Sequence, residues 1–266
     1  MSYLQHFGLK HDPLGKNIRQ IVNTAQQLKL NQKLNFLLQT KGIGLITGDA
    51  GTGKTTALRE WANSLNPMTH HVIYQSDNHF KSFDIYSQLG DQLGLDKYAR
   101  YSTLWRALKC ELLNLTDNKQ LSPIWIIDEA HCAPANFFME LPSFLNFSFD
   151  SREIMTIILV GLPQLQATLK KMIHSALHSR TLFQFTWEAC DDPTKFRELL
   201  VEAFKNAGIH ETIVSQSGIQ LMYVASKGRL RYAHRILTAA LQAAAKQNCN
   251  HLSDDVIQKA IEELTA

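Results

Sequence analysis

Short apolar runs alternate with amphipathic stretches from Ile43 to Phe185. The runs that predict strands are Ile43–Thr47, His71–Gln75, Ile124–Ile127, Ile154–Val160 and Leu182–Phe185. Apolar positions at helical spacing predict helices over Asn23–Thr40, Lys54–Leu65, Phe83–Leu93, Thr103–Leu115, Pro134–Phe147 (continuous or broken) and Leu165–Leu177. Strands that alternate with helices indicate a parallel sheet covered on both faces, so the expected fold class is α/β.

The strand pattern disappears after Asp191-Asp192-Pro193. The helical stretches that follow are Phe196–Ala207, Ser217–Ser226, Tyr232–Lys246 and Asp254–Leu264. Asp191, Asp192 and Ser253 are candidate N-caps, because their side-chain oxygens can accept hydrogen bonds from the first N–H groups of a helix. We therefore expect an α/β domain over residues 1–189 and a small all-helical domain over residues 190–266.

One segment carries a complete G-x-x-x-x-G-K-T phosphate loop, which predicts nucleotide binding. Its residues are Gly48, Asp49, Ala50, Gly51, Thr52, Gly53, Lys54 and Thr55, with Thr56 next in the helix. A buried strand delivers the loop, glycines let backbone N–H groups surround a phosphate, and a helix N-terminus points its positive end at it. Lys54 is expected to reach the β and γ phosphates of ATP, and the Thr55 hydroxyl to ligate Mg²⁺. The alternative is a glycine loop that binds no ligand.

The second candidate part of the site is Asp128-Glu129, which ends the apolar run Ile124–Ile127. A carboxylate at the C-terminal end of a buried parallel strand can hold Mg²⁺, and we assign that role to Asp128. Glu129 is expected to orient and polarise the attacking water, which favours hydrolysis over phosphoryl transfer to a metabolite. Taken alone, the same pair could cap a helix.

Composition indicates a globular protein without a membrane segment. The chain has 266 residues, of which 45% are apolar, and it contains no apolar run of 18 residues. The first ten residues lack the pattern of a signal peptide. The four cysteines form no C-x-x-C pair, which is typical of reduced thiols, so we expect a cytoplasmic protein.

The net charge of +3 is small, but its distribution is uneven. Residues 212–253 contain no acid but several lysines and arginines, and a second acid-free basic stretch lies between residues 97 and 109. Such stretches suit a polyanion partner. Candidate contacts to a DNA backbone are Lys97, Arg100, Arg106 and Lys109. The alternative is a solvated helix face together with nucleotide-sensing arginines.

These motifs together resemble the AAA+ ATPase superfamily, and more narrowly the group that includes ExeA-type secretion ATPases and the TniB, TnsC and MuB transposition ATPases. The narrower resemblance rests on three segments, which are Tyr3–Leu9 followed by Asp12-Pro13, Ile126–Ala130, and Leu159–Leu165. It implies a P-loop NTPase domain followed by a helical lid, with ATP and Mg²⁺ as ligands.

The resemblance also implies roles for single residues outside the two motifs. Arg180, just before the last strand, matches an arginine finger that acts on the nucleotide of a neighbouring subunit; it could equally be a surface arginine. Arg231 matches the second sensor arginine, with Arg229 as a competitor. At the first sensor position the pattern departs from the family, because Gly161 and Pro163 lack a polar side chain and only Gln164 remains.

Asp128-Glu129-Ala130-His131 also spells the signature of DEAH helicases. Those enzymes need two RecA-like domains, which 266 residues with a helical tail do not supply. We expect His131 to lie near the loop after the strand.

For function, the resemblance implies an ATP-dependent, DNA-binding regulator of DNA transposition. Such a protein forms a ring or filament on DNA without sequence preference, recruits a transposase, and disassembles on hydrolysis. The alternative is an ExeA-type ATPase of secretion-complex assembly, which we expect less because the sequence shows no membrane anchor. A repair, loading or signalling ATPase stays open, and a small-molecule kinase is disfavoured by Glu129.

Overall fold

The computed structural model describes residues 2–15, 24–77, 81–209 and 213–265. The strands are β1 (Gly42–Thr47), β2 (His70–Gln75), β3 (Ser122–Ile127), β4 (Thr156–Gly161) and β5 (Thr181–Thr186). The α-helices are α1 (Tyr3–Phe7), α2 (Ala25–Thr40), α3 (Lys54–Ser64), α4 (Ser82–Gln92), α5 (Tyr101–Asp117), α6 (Ala135–Phe144), α7 (Pro163–Leu169), α8 (Ser175–Ser179), α9 (Pro193–Asn206), α10 (Gln216–Ser226), α11 (Leu230–Lys246) and α12 (Asp254–Thr265).

The five strands form one parallel sheet in the order β2-β3-β4-β1-β5, which confirms the predicted α/β class. Strands β1 and β4 are buried along their whole length, as near-continuous apolar strands between two helical layers should be. The register pairs Thr47 with Gly161 and Ile127 with Leu159. The carboxyl ends of β1 and β3 therefore reach the same edge of the sheet, with β4 between them.

The described chain divides into two compact units. A sheet unit contains Ala25–Gly48 and Trp61–Trp187. A helical unit contains the described residues of Met1–Thr24, Asp49–Glu60 and Glu188–Ala266. The two units differ from the division at residue 189, because the helical unit also includes the N-terminal segment and the phosphate loop. The domain boundary at residue 189 stays a prediction.

Within the helical unit, the N-terminal segment is bonded to α11 through Asp12. The Asp12 carboxylate accepts hydrogen bonds from the Tyr3 hydroxyl (3.2 Å), His234 Nε2 (2.8 Å) and the Thr238 hydroxyl (3.3 Å). Burial opposes ionisation of Asp12, but the interactions with His234 and the bonds from Tyr3 and Thr238 together outweigh it and hold the pKa of Asp12 below its usual value. No helix in the described ranges is long and apolar enough to cross a membrane.

The predicted N-caps are placed as follows. Asp192 caps α9, with its side chain accepting the N–H of Thr194 at 2.8 Å, and Asp191 lies outside the helix. The Ser253 carbonyl accepts the N–H of Ile257 at the start of α12. Ser215, which the sequence reading missed, caps α10.

The prediction of one continuous helix over Leu165–Leu177 is wrong. The segment is broken into α7, a 3₁₀ turn over Met172–His174, and α8. In one straight helix, the separation of twelve positions between Leu165 and Leu177 would leave the two side chains roughly 120° apart around the axis. The break lets both leucines reach the core, where both are buried.

His174, in that 3₁₀ turn, is expected to make stability pH-dependent. Its side chain is buried against Phe138, and its Nδ1 has no hydrogen-bond partner among the described residues. Burial, and then the nearby Lys171, lowers the pKa of His174 in the folded state. In the unfolded chain this imidazole titrates at about pH 6.5. Below that pH the unfolded chain therefore binds more protons than the folded protein, and the free energy of unfolding falls.

Chemical denaturation on either side of that pH checks this expectation. His174→Phe should lose less stability on acidification than the unmodified protein, whereas His178→Phe, at an exposed position of α8, should keep the original dependence. Equal pH dependence of the His174→Phe variant and the unmodified protein would contradict the assignment.

Candidate functional site

The phosphate loop follows β1 directly, and its first residue must be glycine. A Cβ on Gly48 would lie 2.1 Å from the carbonyl oxygen of Trp187. The backbone at Gly51 and Gly53 has φ of 75° and 110°, a left-handed region that glycine adopts without strain. The glycines of the motif thus serve close packing and backbone conformation.

Lys54 is the first residue of α3, and its side chain is held in the loop. Its ammonium donates to the carbonyl oxygen of Asp49 at 2.8 Å, and the Thr52 hydroxyl donates to the same oxygen at 2.8 Å. Lys54 is only 8% exposed, whereas Thr55 next to it is exposed. The loop therefore presents a lysine and a helix N-terminus together, which is the arrangement that binds phosphate oxygens.

The arginines of the helical unit contact the loop. The backbone N–H of Arg231 donates to the carbonyl of Gly51 at 3.0 Å, and a Cβ on Gly51 would lie 2.8 Å from the Cβ of Arg231. The Arg229 guanidinium lies 3.5 Å from a carboxylate oxygen of Asp49. The structure thus brings both sensor candidates to the loop, Arg231 by its backbone and Arg229 by its side chain.

A basic cavity of about 340 Å³ lies at the turn between α10 and α11. Ala50 of the loop lines it, as do the basic side chains of Lys227, Arg229, Arg231 and Arg235. Four cations around one cavity suit an anionic ligand. These residues belong to the acid-free stretch of the sequence, but the charge pattern alone does not show that Lys227 and Arg235 share a cavity with Arg231.

Asp128 lies directly after β3 and is buried, with 3% of its surface exposed. One carboxylate oxygen accepts the Tyr74 hydroxyl at 2.9 Å, and the other accepts the backbone N–H of Glu129 at 2.9 Å. Burial, and then the charge of Asp128, raises the pKa of Tyr74, which therefore stays a hydroxyl donor. Tyr74 was missed from sequence, although a residue near the end of β2 must lie beside the end of β3 in a parallel sheet.

Glu129 has a left-handed backbone (φ 52°), and its side chain is 54% exposed. A non-glycine residue in this region is uncommon and is found where the surroundings impose it. The carboxylate lies 3.5 Å from Nδ1 of His131. Glu129 is thus presented to solvent at the carboxyl edge of the sheet, where a water molecule can reach it.

At the end of β4, next to the predicted first sensor position, the structure places His131 beside the backbone. Gln164 is exposed in the first turn of α7. The N–H of Leu162, just after β4, instead donates to Nδ1 of His131 at 3.4 Å. The role of Gln164 stays a prediction.

Arg180 lies between α8 and β5, and its guanidinium is ion-paired within the chain. It bonds both carboxylate oxygens of Asp150, at 2.6 and 2.8 Å, and one of Glu153 at 3.2 Å. Its side chain is 21% exposed. A role as an arginine finger stays a prediction, and it requires Arg180 to leave these acids.

Of the four predicted DNA contacts, Lys97, Arg100 and Arg106 are exposed. Lys109 differs, because its ammonium donates to the carbonyls of Ser143 (3.0 Å) and Asn146 (2.7 Å) at the end of α6. Burial lowers the pKa of Lys109. Its bonds stabilise the C-terminal end of a helix, so it is the least available of the four for a phosphate.

Comparisons with known proteins match this chain over half of its length or more. A family model described as AAA domain matches residues 37–169, half of the sequence. The general secretion pathway protein A of Aeromonas hydrophila is 26% identical over 99% of this chain, which spans about half (48%) of that protein's length.

Solved structures with the same fold include Cdc6p from Pyrobaculum aerophilum and the ORC1 protein of Aeropyrum pernix in complex with DNA. The first has a TM-score of 0.78 and 18% identity, and covers 96% of this chain and 71% of its own. The second has a TM-score of 0.73 and 16% identity, and covers 95% of this chain and 68% of its own. At these identities the likeness establishes the fold.

Proposed function

This chain belongs to the AAA domain family, as an ATPase with a P-loop fold, and we propose that it acts on DNA as an ATP-dependent oligomer. The proposal is carried by a formed phosphate loop and by an exposed Glu129 that follows a buried Asp128 at the end of β3. A glutamate in that position suits activation of water, so the bound state ends by hydrolysis.

The residues around ATP would divide the work of binding and hydrolysis. The loop N–H groups and Lys54 bind the phosphates, and Glu129 orients the water. The oxygen donors Thr55 and Asp128 fit Mg²⁺, a cation that prefers oxygen ligands. When bound, Mg²⁺ neutralises charge on the phosphate oxygens. Arg180 of one subunit would stabilise charge on the nucleotide of the next.

Two observations support DNA as the partner. The ORC1 protein of Aeropyrum pernix, which shares the fold, was solved in complex with DNA. On this chain, Lys97, Arg100 and Arg106 are exposed in a stretch without acidic residues. Exposed cations on a phosphate backbone give binding without sequence preference. In its most specific form, the proposal is regulation of DNA transposition, in which the oligomer recruits a transposase and hydrolysis drives disassembly.

A second candidate function is assembly of a secretion complex. It is favoured by the 26% identity to general secretion pathway protein A across nearly the whole chain. In that case the oligomer would act on protein partners, and DNA would not bind in any nucleotide state.

Binding to a fluorescent random-sequence duplex tests the proposal. We expect binding with a non-hydrolysable ATP analogue, weaker binding with ADP, and a steep decrease with salt. Arg100→Ala/Arg106→Ala should reduce the slope of log affinity against log salt by about 2, since each lost phosphate contact removes about 0.9.

The matched control is Lys195→Ala/Lys205→Ala, which removes two exposed cations from α9. It should leave the salt slope unchanged. Absence of duplex binding in every nucleotide state would contradict the DNA proposal and favour the secretion alternative.

A further inference from the structure

His131 lies between the candidate catalytic base and the turn that follows β4. It belongs to the 3₁₀ turn Ala130–Cys132, directly after the carboxylate pair at the end of β3. Its Nδ1 is 3.5 Å from a carboxylate oxygen of Glu129 and 3.4 Å from the N–H of Leu162. One ring atom therefore contacts groups at the ends of two neighbouring strands.

Close packing places the imidazole there. A Cβ on Gly161 would lie 3.2 Å from both Nδ1 and the backbone nitrogen of His131, so the missing side chain at the end of β4 leaves room for the ring. The His131 side chain is 19% exposed, much less than that of Glu129. The ring is thus mostly buried, while the carboxylate beside it extends into solvent.

The chemistry of Nδ1 permits only one of its two contacts at a time. As a lone pair it accepts the N–H of Leu162 and repels the Glu129 carboxylate; as an N–H it donates to Glu129 and leaves Leu162 without that partner. The direction of the Glu129 carboxylate is therefore tied to the state of the β4–α7 turn. A carboxylate bonded to a ring N–H is held in one direction, whereas one beside a lone pair extends away from the ring.

We propose that His131 is a positioning residue that sets the direction of the Glu129 carboxylate according to whether Leu162 occupies its Nδ1. This proposal rests on Glu129 being the base of the proposed ATPase mechanism. It also explains how the chain functions without a polar side chain at Gly161 or Pro163, because His131 supplies a polar atom at the end of β4 from the neighbouring strand.

Three substitutions separate positioning from packing. His131→Ala removes ring and nitrogen, and misplacement of the base should lower kcat by about ten- to a hundredfold, with KM for ATP nearly unchanged. His131→Phe keeps a ring over Gly161 but has no nitrogen, and should be as slow as His131→Ala. In His131→Asn, the amide can meet Leu162 and Glu129 at once, and kcat should recover to within about threefold of the original.

A double-mutant comparison with Glu129→Gln completes the test. If His131 acts through Glu129, His131→Ala should have no further effect on turnover in the Glu129→Gln background. Full activity of His131→Phe, or equal losses from His131→Ala with and without Glu129, would overturn the positioning role. If Glu129→Gln itself turns over normally, the assigned base is wrong, which is a separate failure of the proposed function.

Discussion

Replacing Glu129 by glutamine should reduce ATP turnover by about a hundred- to ten-thousandfold, the usual contribution of a general base. The change keeps the size of the side chain but removes the group that polarises water. Because Glu129 is exposed and its backbone N–H is what bonds Asp128, the fold and the position of Asp128 should be retained. ATP affinity should stay within a few-fold of the original, and the ATP-bound oligomer should accumulate.

The measurement is steady-state ATPase activity together with equilibrium binding of a fluorescent ATP analogue. Lys54→Ala is the contrasting variant, because it removes the ammonium held inside the phosphate loop and should weaken binding itself. Normal hydrolysis by Glu129→Gln would show that another group activates the water.

Replacing Arg180 by alanine should reduce turnover by about a thousandfold or more, the effect of losing an arginine finger in other NTPases. Since the finger acts on a neighbouring subunit, the unmodified enzyme should show specific activity that rises with protein concentration. Arg180→Ala should lose that rise while binding nucleotide as a monomer with unchanged affinity.

The ion pairs of Arg180 call for a control, because the substitution also removes its contacts to Asp150 and Glu153. Asp150→Asn/Glu153→Gln removes the same pairs but keeps the guanidinium. This double variant should remain active, and it should reach half-maximal specific activity at a lower protein concentration if those acids compete with the neighbouring site. An unchanged concentration dependence in Arg180→Ala would exclude the finger role.

Local sequence signals predicted most of the fold. The strands and the phosphate loop lie where apolar runs and glycine spacing indicate, because burial between two helical layers and a left-handed backbone at glycine are both determined by a few adjacent residues. The break between α7 and α8 was not predictable in this way, since Leu165 and Leu177 are directed inward by the core rather than by their own spacing.

The contacts around the site depended on tertiary structure. Tyr74 reaches Asp128 from the adjacent strand, and His131 reaches Leu162 across the end of β4. Lys109 lies in a basic stretch of the sequence and would be expected to be a free cation. In the structure its ammonium instead donates hydrogen bonds to two carbonyls at the end of α6. Each case joins segments that are far apart in sequence, so charge patterns and motifs could not reveal the partner.

The most direct test of ATP-dependent assembly on DNA is mass measurement of single complexes of the Glu129→Gln protein on a duplex, with ATP and with ADP. We expect complexes of several subunits per duplex with ATP, and dissociation to monomers with ADP. Single subunits in both nucleotide states, or the same oligomer without DNA and without ATP, would contradict it.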